Sequence, residues 1–418
     1  MNRRSVLKSV ASAALYPLLT KNTFGRSIYP LTPYLYTPSP YADNGPQIKA
    51  LLESGYRWIK IDGTSCPIWS RLDLGDSSTG DPYDGLIIEP ADGIDSVNVH
   101  VGSSSCLPQA PPTIVSAGAW AQVRSLKDCL ASNATQSGGT TRPAIARDRA
   151  ALSSPDNIAF GYELNERRAS YLTQPSGVNS LEIFVADVSQ YSPGDWVFIS
   201  DLSINPSSNL SASDGPMEAR QVIGRRAGSL VLDRVLKTAH PQSATVSIFK
   251  PIRNLIIRGL EFSGNCTAAI HLHGAQHCII ENISSSQWTG FALVVLDNAG
   301  SCNLLKDVYC TGTAPIRISD SPEAANQNGW GVAMEGQDST VAVNCGGEHC
   351  SNGILMNYCI DTIATDARAH LCNVNVNVNF RSLRSGFIRP HCSSSISINT
   401  LISDDCVDCF ILNPGPYI

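Results

Sequence analysis

Beyond Pro251 the chain repeats itself with a step of about 22 residues, and a period of that length limits what the chain can fold into. Val332, Ile354, Val376 and Ile398 follow one another at 22 residues, as do Ile270 and Ala292, and Cys350 and Cys372 keep the same step. Alternate residues move together: Met334, Met356 and Val378 share the apolar phase, while Glu335, Asn357 and Asn379 share the polar one. Stacked coils of strand produce this pattern, because each coil rests on the last at ~4.8 Å and buries like side chains in columns. A propeller blade needs about 40 residues, and a leucine-rich repeat needs its own Leu and Asn spacing. Neither pattern is present, so the predicted fold class is all-β, a parallel β-helix solenoid.

Composition agrees, since interior columns tolerate few charges and only 16% of the residues are charged, against roughly 25% in ordinary domains. The net charge is −6 and the 30 basic residues form no cluster. No nucleic-acid partner is expected. The longest nearly uncharged apolar stretch, Val10 to Leu19, falls short of the ~20 residues that span a bilayer, so no membrane span is expected. The 14 cysteines fall at 66, 106 and 129 and then eleven times between 266 and 409. In this setting they read as small buried apolar side chains rather than as a disulfide framework. For Cys345, His349 and Cys350, for Cys406 and Cys409, and for the pair His271 and His273, core packing is preferred to a metal site.

The first residues, Arg3-Arg4-Ser5-Val6-Leu7-Lys8 ahead of the apolar run to Leu19, resemble a twin-arginine export signal. This assigns 1–27 to the signal and implies a periplasmic or extracellular protein. Residues 28–41 are rich in Pro and Tyr and read as an extended linker. Residues 42–418 form one β-helix domain with an irregular insertion at about 75–176. Asp43 stands at a helix N-cap, and Ile48, Leu51 and Leu52 lie at helical spacing before Ser54-Gly55, which predicts one short N-terminal capping helix.

Ala42-Asp43-Asn44 leading into Gln47–Gly55, then strand, Asp62-Gly63 and strand, resembles the opening of pectate-lyase-like proteins, whose fold is a right-handed parallel β-helix. Ser180–Asp187 with Tyr191–Val197, and Asn254–Phe262, are similar to modules of phage tailspikes and related bacterial enzymes. The resemblance covers about half the chain. It implies a polysaccharide partner, with cleavage of an acidic or complex glycan, and a monomer or homotrimer. Ser403-Asp404-Asp405-Cys406-Val407 further resembles the Gly-Asp-Asp-Cys segment of polygalacturonase-type hydrolases. That family's Asn-Thr-Asp is broken here, because Asn399-Thr400 is followed by Leu401, and thirteen residues after Asp405 leave no room for its later motifs.

The polar column offers a different site. Reading Gly312 to Trp330 as one short coil of 18 residues sets Arg317 before Glu335, with Val295 and His273 beyond it, and makes Asp320 and Asp338 neighbours. Arg317, Asp320, Glu335 and Asp338 are then the expected catalytic residues, and His273, Trp330, Asn357 and Asn379 the expected substrate contacts. Trp330 and Trp288 offer rings for stacking. Hydrolysis needs two carboxylates, ~5 to 5.5 Å apart for retention or ~6.5 to 9.5 Å for inversion. A lyase needs a base beside a uronate neutralised by Arg317 or a bound Ca2+. Hydrolysis is preferred, with no cofactor. The alternative is a noncatalytic glycan-binding spike or adhesin, or an Arg, Glu and Asn ladder that only ties coils together.

Overall fold

Short runs of Val, Ile and Leu are too brief to stand alone as strands and gain stability only against the equivalent run one coil away. In the computed structural model this stacking gives a right-handed parallel β-helix. The structure describes residues 32–70, 72–75, 81–101, 158–160, 169–200, 217–242, 244–264, 268–288, 292–297, 300–312, 330–350, 352–372, 374–379, 382–395, 398–403 and 406–414. The proposed export signal lies outside them.

Two sheets build the helix, one of fourteen strands and one of eight. In the eight-stranded sheet, Ala268–His273, Ala292–Asp297, Trp330–Glu335, Asn352–Asn357, Val374–Asn379 and Ile398–Ile402 are successive rungs. Their register runs Ile270, Val294, Val332, Ile354, Val376, Thr400. The 22-residue step therefore holds from Val332 to Val376, becomes 24 from Val376 to Thr400, and is 38 from Val294 to Val332 and 24 from Ile270 to Val294. Ile270 stands beside Val294 rather than Ala292, and Ile398 stands beside Val374 rather than Val376. Between these sheets lies one continuous core, in which Met334, Met356 and Val378 stack as expected and Cys345, Cys350, Cys359 and Cys372 fill gaps between larger side chains. None of the described cysteines is in a disulfide.

Each coil turns at residues held in the left-handed region. Asn254, His277, Cys302, Ser339, Asp361, Arg384 and Asp408 form one such corner column, with φ from +47° to +56°. Asn and Asp accept this conformation at low cost, and bulkier residues do not. The strain is offset because each corner N–H donates to the next coil, as in Ser339 N to Ile360 O at 2.9 Å and Asp361 N to Leu383 O at 3.0 Å.

At the N-terminal end, the segment read as a linker supplies a strand, Tyr34–Tyr36, paired in parallel with Trp58–Ile61. Pro33 and Pro38 flank it at the edge of the sheet, where a missing N–H is tolerated. The capping helix is α1, Gly45–Glu53, with Ile48 and Leu52 on its buried face. Asp43 accepts from Gly45 N at 3.0 Å and also from Trp69 N at 2.9 Å, so it ties the helix start to the first coil.

The region read as irregular contributes rungs as well: Ile87–Pro90, Val97–Val101 and Ile158–Phe160 all pair with the helix. Residues 169–249 leave the solenoid altogether. Ala169–Tyr171, Glu182–Phe184, Trp196–Ser200, Met217–Arg226, Ser229–Leu232 and Thr245–Phe249 form an antiparallel six-stranded sheet. Leu172 bridges Val185, which joins its two edges into a small barrel around Ile183, Tyr191, Val197, Val222 and Val246. The β-helix domain expected over 42–418, with its irregular insertion at about 75–176, thus also carries this antiparallel sheet. Tight turns such as Ala227-Gly228, with Gly228 at φ +79°, allow neighbouring strands to pair antiparallel instead of waiting for a full coil.

Candidate functional site

The strands Ala292–Asp297 and Trp330–Glu335 are direct neighbours, with Val295 beside Ala333 and Leu296 beside Met334. The polar column therefore runs through positions 273, 297, 335, 357 and 379. Asp297 occupies the rung before Glu335 that the short-coil reading gave to Arg317, and Val295 belongs to another column. Arg317 and Asp320 lie outside the described residues, as do Asp404 and Asp405. Asp297 was missed because the step from it to Glu335 is 38 residues, and a fixed period cannot cross that gap. The signal was present: Leu293-Val294-Val295-Leu296-Asp297 and Val332-Ala333-Met334-Glu335 are both apolar runs closed by an acid.

Glu335 is half-buried, and its Oε1 accepts from Asn357 Nδ2 at 2.8 Å. Asn379 Oδ1 accepts from Ser403 Oγ, and in the adjoining column Asn377 Nδ2 donates to Asn352 Oδ1 at 3.2 Å. Asn357 and Asn377 are 2% and 6% exposed, yet each keeps its Oδ1 without a hydrogen-bond partner. A buried acceptor left unmatched costs about 1 to 3 kcal/mol. Both lie on the outer face of the eight-stranded sheet, covered by their neighbours.

The stacking role expected of Trp330 does not fit its surroundings. It is 4% exposed, packed among Ala268, Ala292, Val295, Ala333 and Leu355. Trp288 is buried in the solenoid core. Barrel residues Phe198, Met217 and Phe249 pack with Tyr358, the residue after Asn357, in a buried cluster, and Trp196 packs against them with its ring 6.4 Å from Phe249. Trp196 also holds a buried indole N–H with no partner.

Asp338 bridges Ser301, not a position in 313–329, and it faces the barrel. Its Oδ1 takes Lys237 Nζ at 2.5 Å and Ser339 Oγ at 3.0 Å, and its Oδ2 takes Arg220 Nη1 at 3.3 Å. Lys237 also reaches Asp361 Oδ2 at 2.8 Å, and Asp361 accepts from Arg384 Nε at 2.6 Å. Burial opposes both charges, but Arg384 and Lys237 hold the Asp361 carboxyl below its usual range, and Asp338 and Asp361 hold the Lys237 ammonium above its own. This chain of ions fixes the barrel to the corner column. Of the four expected catalytic residues, only Glu335 is found on the polar column among the described residues. No three His, Cys, Asp or Glu side chains converge to hold a metal ion among those residues. No helix among them is long and apolar enough to cross a membrane.

No protein-family model matches the chain, and no curated protein matches it. Among solved structures it is similar to the Gp54 tailspike of Acinetobacter baumannii bacteriophage AP22 in complex with A. baumannii capsular saccharide. That likeness has 11% identity and a TM-score of 0.54 over 91% of this chain and 56% of the tailspike. Tailspike protein gp49 from Pseudomonas phage LKA1 aligns with 9% identity and a TM-score of 0.45, over 87% of this chain and 56% of the other. The chain thus spans a little over half the length of these tailspikes. Register, corner columns and the likeness to the AP22 tailspike lead to one conclusion: the chain has a right-handed parallel β-helix fold.

Proposed function

We propose that the protein is an exported enzyme that hydrolyses glycosidic bonds of an acidic or complex polysaccharide along the polar column. The observation that carries this reading is the half-buried carboxylate of Glu335 on the polar column, whose Oε1 accepts from Asn357 Nδ2 at 2.8 Å. Asp297 and Glu335 stand on adjacent rungs, and a pair of carboxyls is what glycoside hydrolysis needs. In this role one carboxyl protonates the leaving glycosidic oxygen and the other attacks the anomeric carbon. Water then completes the cycle. Asn357 orients Glu335, Asn379 extends the contact along the column, and position 273 places His273 at its near end. A fold shared with a tailspike in complex with capsular saccharide supports the substrate class.

The test is a polysaccharide panel assayed for reducing ends and for absorbance of unsaturated uronates. New reducing ends without that absorbance identify the hydrolase, and absorbance that requires Ca2+ identifies a lyase. Retention of a glycan without either signal identifies a spike-like binder and overturns the enzymatic reading. Export is tested by changing Arg3 and Arg4 to Lys, which should hold the folded protein in the cytoplasm.

A further inference from the structure

A second cleft, of about 550 Å3, opens on the outer face of the fourteen-stranded sheet, on the strands Trp58–Ile61, Ile87–Pro90, Ile256–Gly264 and Ile279–Trp288. Its size is that of a small-ligand site. The register makes charge alternate from rung to rung: Lys60 beside Glu89, Arg258 on the next rung, then Glu281, then Lys306. At one end the ladder is ordinary, with Lys306 Nζ and Glu281 Oε1 forming a pair at the surface 2.5 Å apart.

At the other end it is different. Glu89 is 4% exposed, and its two oxygens hold two different surface groups: Oε1 accepts from the Trp58 indole N–H at 2.7 Å and Oε2 from Arg258 Nε at 2.5 Å. Burying a carboxylate is costly, and a tie between coils needs only one partner. This carboxylate fixes the plane of a half-exposed indole next to a guanidinium whose side chain is 46% exposed. The segment Ala91–Asp95 forms the rim, where Asp92 takes Lys60 Nζ at 2.5 Å, and Lys60 lies 5.5 Å from the Trp58 ring centre. The floor is tight, since a Cβ at Gly259, where φ is +67°, would meet Pro90 Cγ within van der Waals distance.

We infer that this cleft is a second glycan-binding site, which takes a hydroxyl-rich pyranose unit. The apolar face of the sugar lies on the Trp58 indole. Its hydroxyls meet donors from Arg258, Lys60 and Asn282 and acceptors from Asp92 and Glu281, an alternation of donor and acceptor that suits a polyhydroxylated ring. The site shares its ligand class with the polar column but uses none of its residues, and it anchors a long chain on a separate face of the solenoid.

The experiment uses the full chain carrying Glu335→Gln, which stops turnover on the proposed reading, on an array of defined bacterial capsular, plant and animal glycans. Trp58→Leu and Arg258→Ala in that background should each weaken retention of the glycans that bind by at least tenfold. In the protein with Trp58 intact, the Trp58 indole N–H resonance, assigned with Trp58→Phe, should shift on titration with the best-retained glycan. Equal retention by both variants, an unmoved Trp58 resonance at saturation, or no retained glycan at all overturns the proposal. Retention through Trp58 without turnover by the wild-type protein sinks the hydrolase reading and leaves this site standing. Turnover with an unmoved Trp58 resonance does the reverse.

Discussion

Glu218 is fully buried at the junction of barrel and solenoid, and replacing it with Gln should remove its share of the acid dependence of stability. Burial alone would push its carboxyl up. A hydrogen bond from His240, the charge of Arg220, the Lys237 N–H and the Thr238 hydroxyl outweigh burial and hold it down at about 2, against an ordinary 4.5. At 1.36 kcal/mol per pH unit, that difference corresponds to about 3 kcal/mol of stability. The folded carboxyl binds its proton less tightly than the unfolded one. Its contribution is therefore complete above about pH 4.5 and disappears as pH falls towards about 2. Glu218→Gln keeps the shape and loses the charge, so the variant should be about 3 kcal/mol less stable at neutral pH, with a gap from wild type that closes in acid. Urea denaturation followed by tryptophan fluorescence across this range measures the gap directly. A gap that stays constant with pH, or one below about 1 kcal/mol at neutral pH, would refute the electrostatic account.

Glu335→Gln and Asp297→Asn should each lower kcat by ~10² to 10⁴ on the responsive polysaccharide, with melting temperatures unchanged; full turnover by either removes that residue from the proposed pair. Phe387 is fully buried, in register between Ala364 and Ile411, and Phe387→Ala should cost ~3 to 5 kcal/mol in calorimetry or denaturant melts. Burial lifts the thiols of Cys278, Cys345 and Cys359 to about 12, so an alkylating reagent should label them slowly in the native protein and rapidly once it is unfolded without reductant. Rapid native labelling would contradict the packing, and failure to label after unfolding would reveal disulfides.

The solenoid was legible because a repeat of like residues at a near-constant step has one economical physical cause. Met334, Met356 and Val378, and Glu335, Asn357 and Asn379, stand in register as their phases required. Legibility ended where the step changed. A 38-residue gap between Asp297 and Glu335 looks to a fixed period like a missing coil, and filling it with Arg317 followed from counting rather than from physics. The barrel was hidden for another reason: strands such as Trp196–Ser200 and Thr245–Phe249 are apolar runs bounded by turn residues, just as solenoid rungs are, and nothing local distinguishes an antiparallel partner from the next coil. Asp338 illustrates the limit at a single residue. Its position on the outer surface was readable, but its partners Arg220 and Lys237 lie more than a hundred residues earlier in the sequence.

That distance in sequence gives the barrel an order in time. A ribosome completes residues 169–249 before it makes Ser301, Asp338, Asp361 or Arg384, so Arg220, Arg234 and Lys237 await carboxylates and hydroxyls that arrive one coil at a time. Each arriving coil must present its corner at the right height to meet them. A coil one or two residues out of step would bring the wrong side chain to a buried cation and be penalised at once. A repeating stack has little else to prevent it from slipping by a rung, because its columns are alike. The barrel therefore acts as a ruler laid alongside the stack: a coil that carried Glu335 or Asn357 out of register would leave Arg220 or Lys237 without its carboxylate.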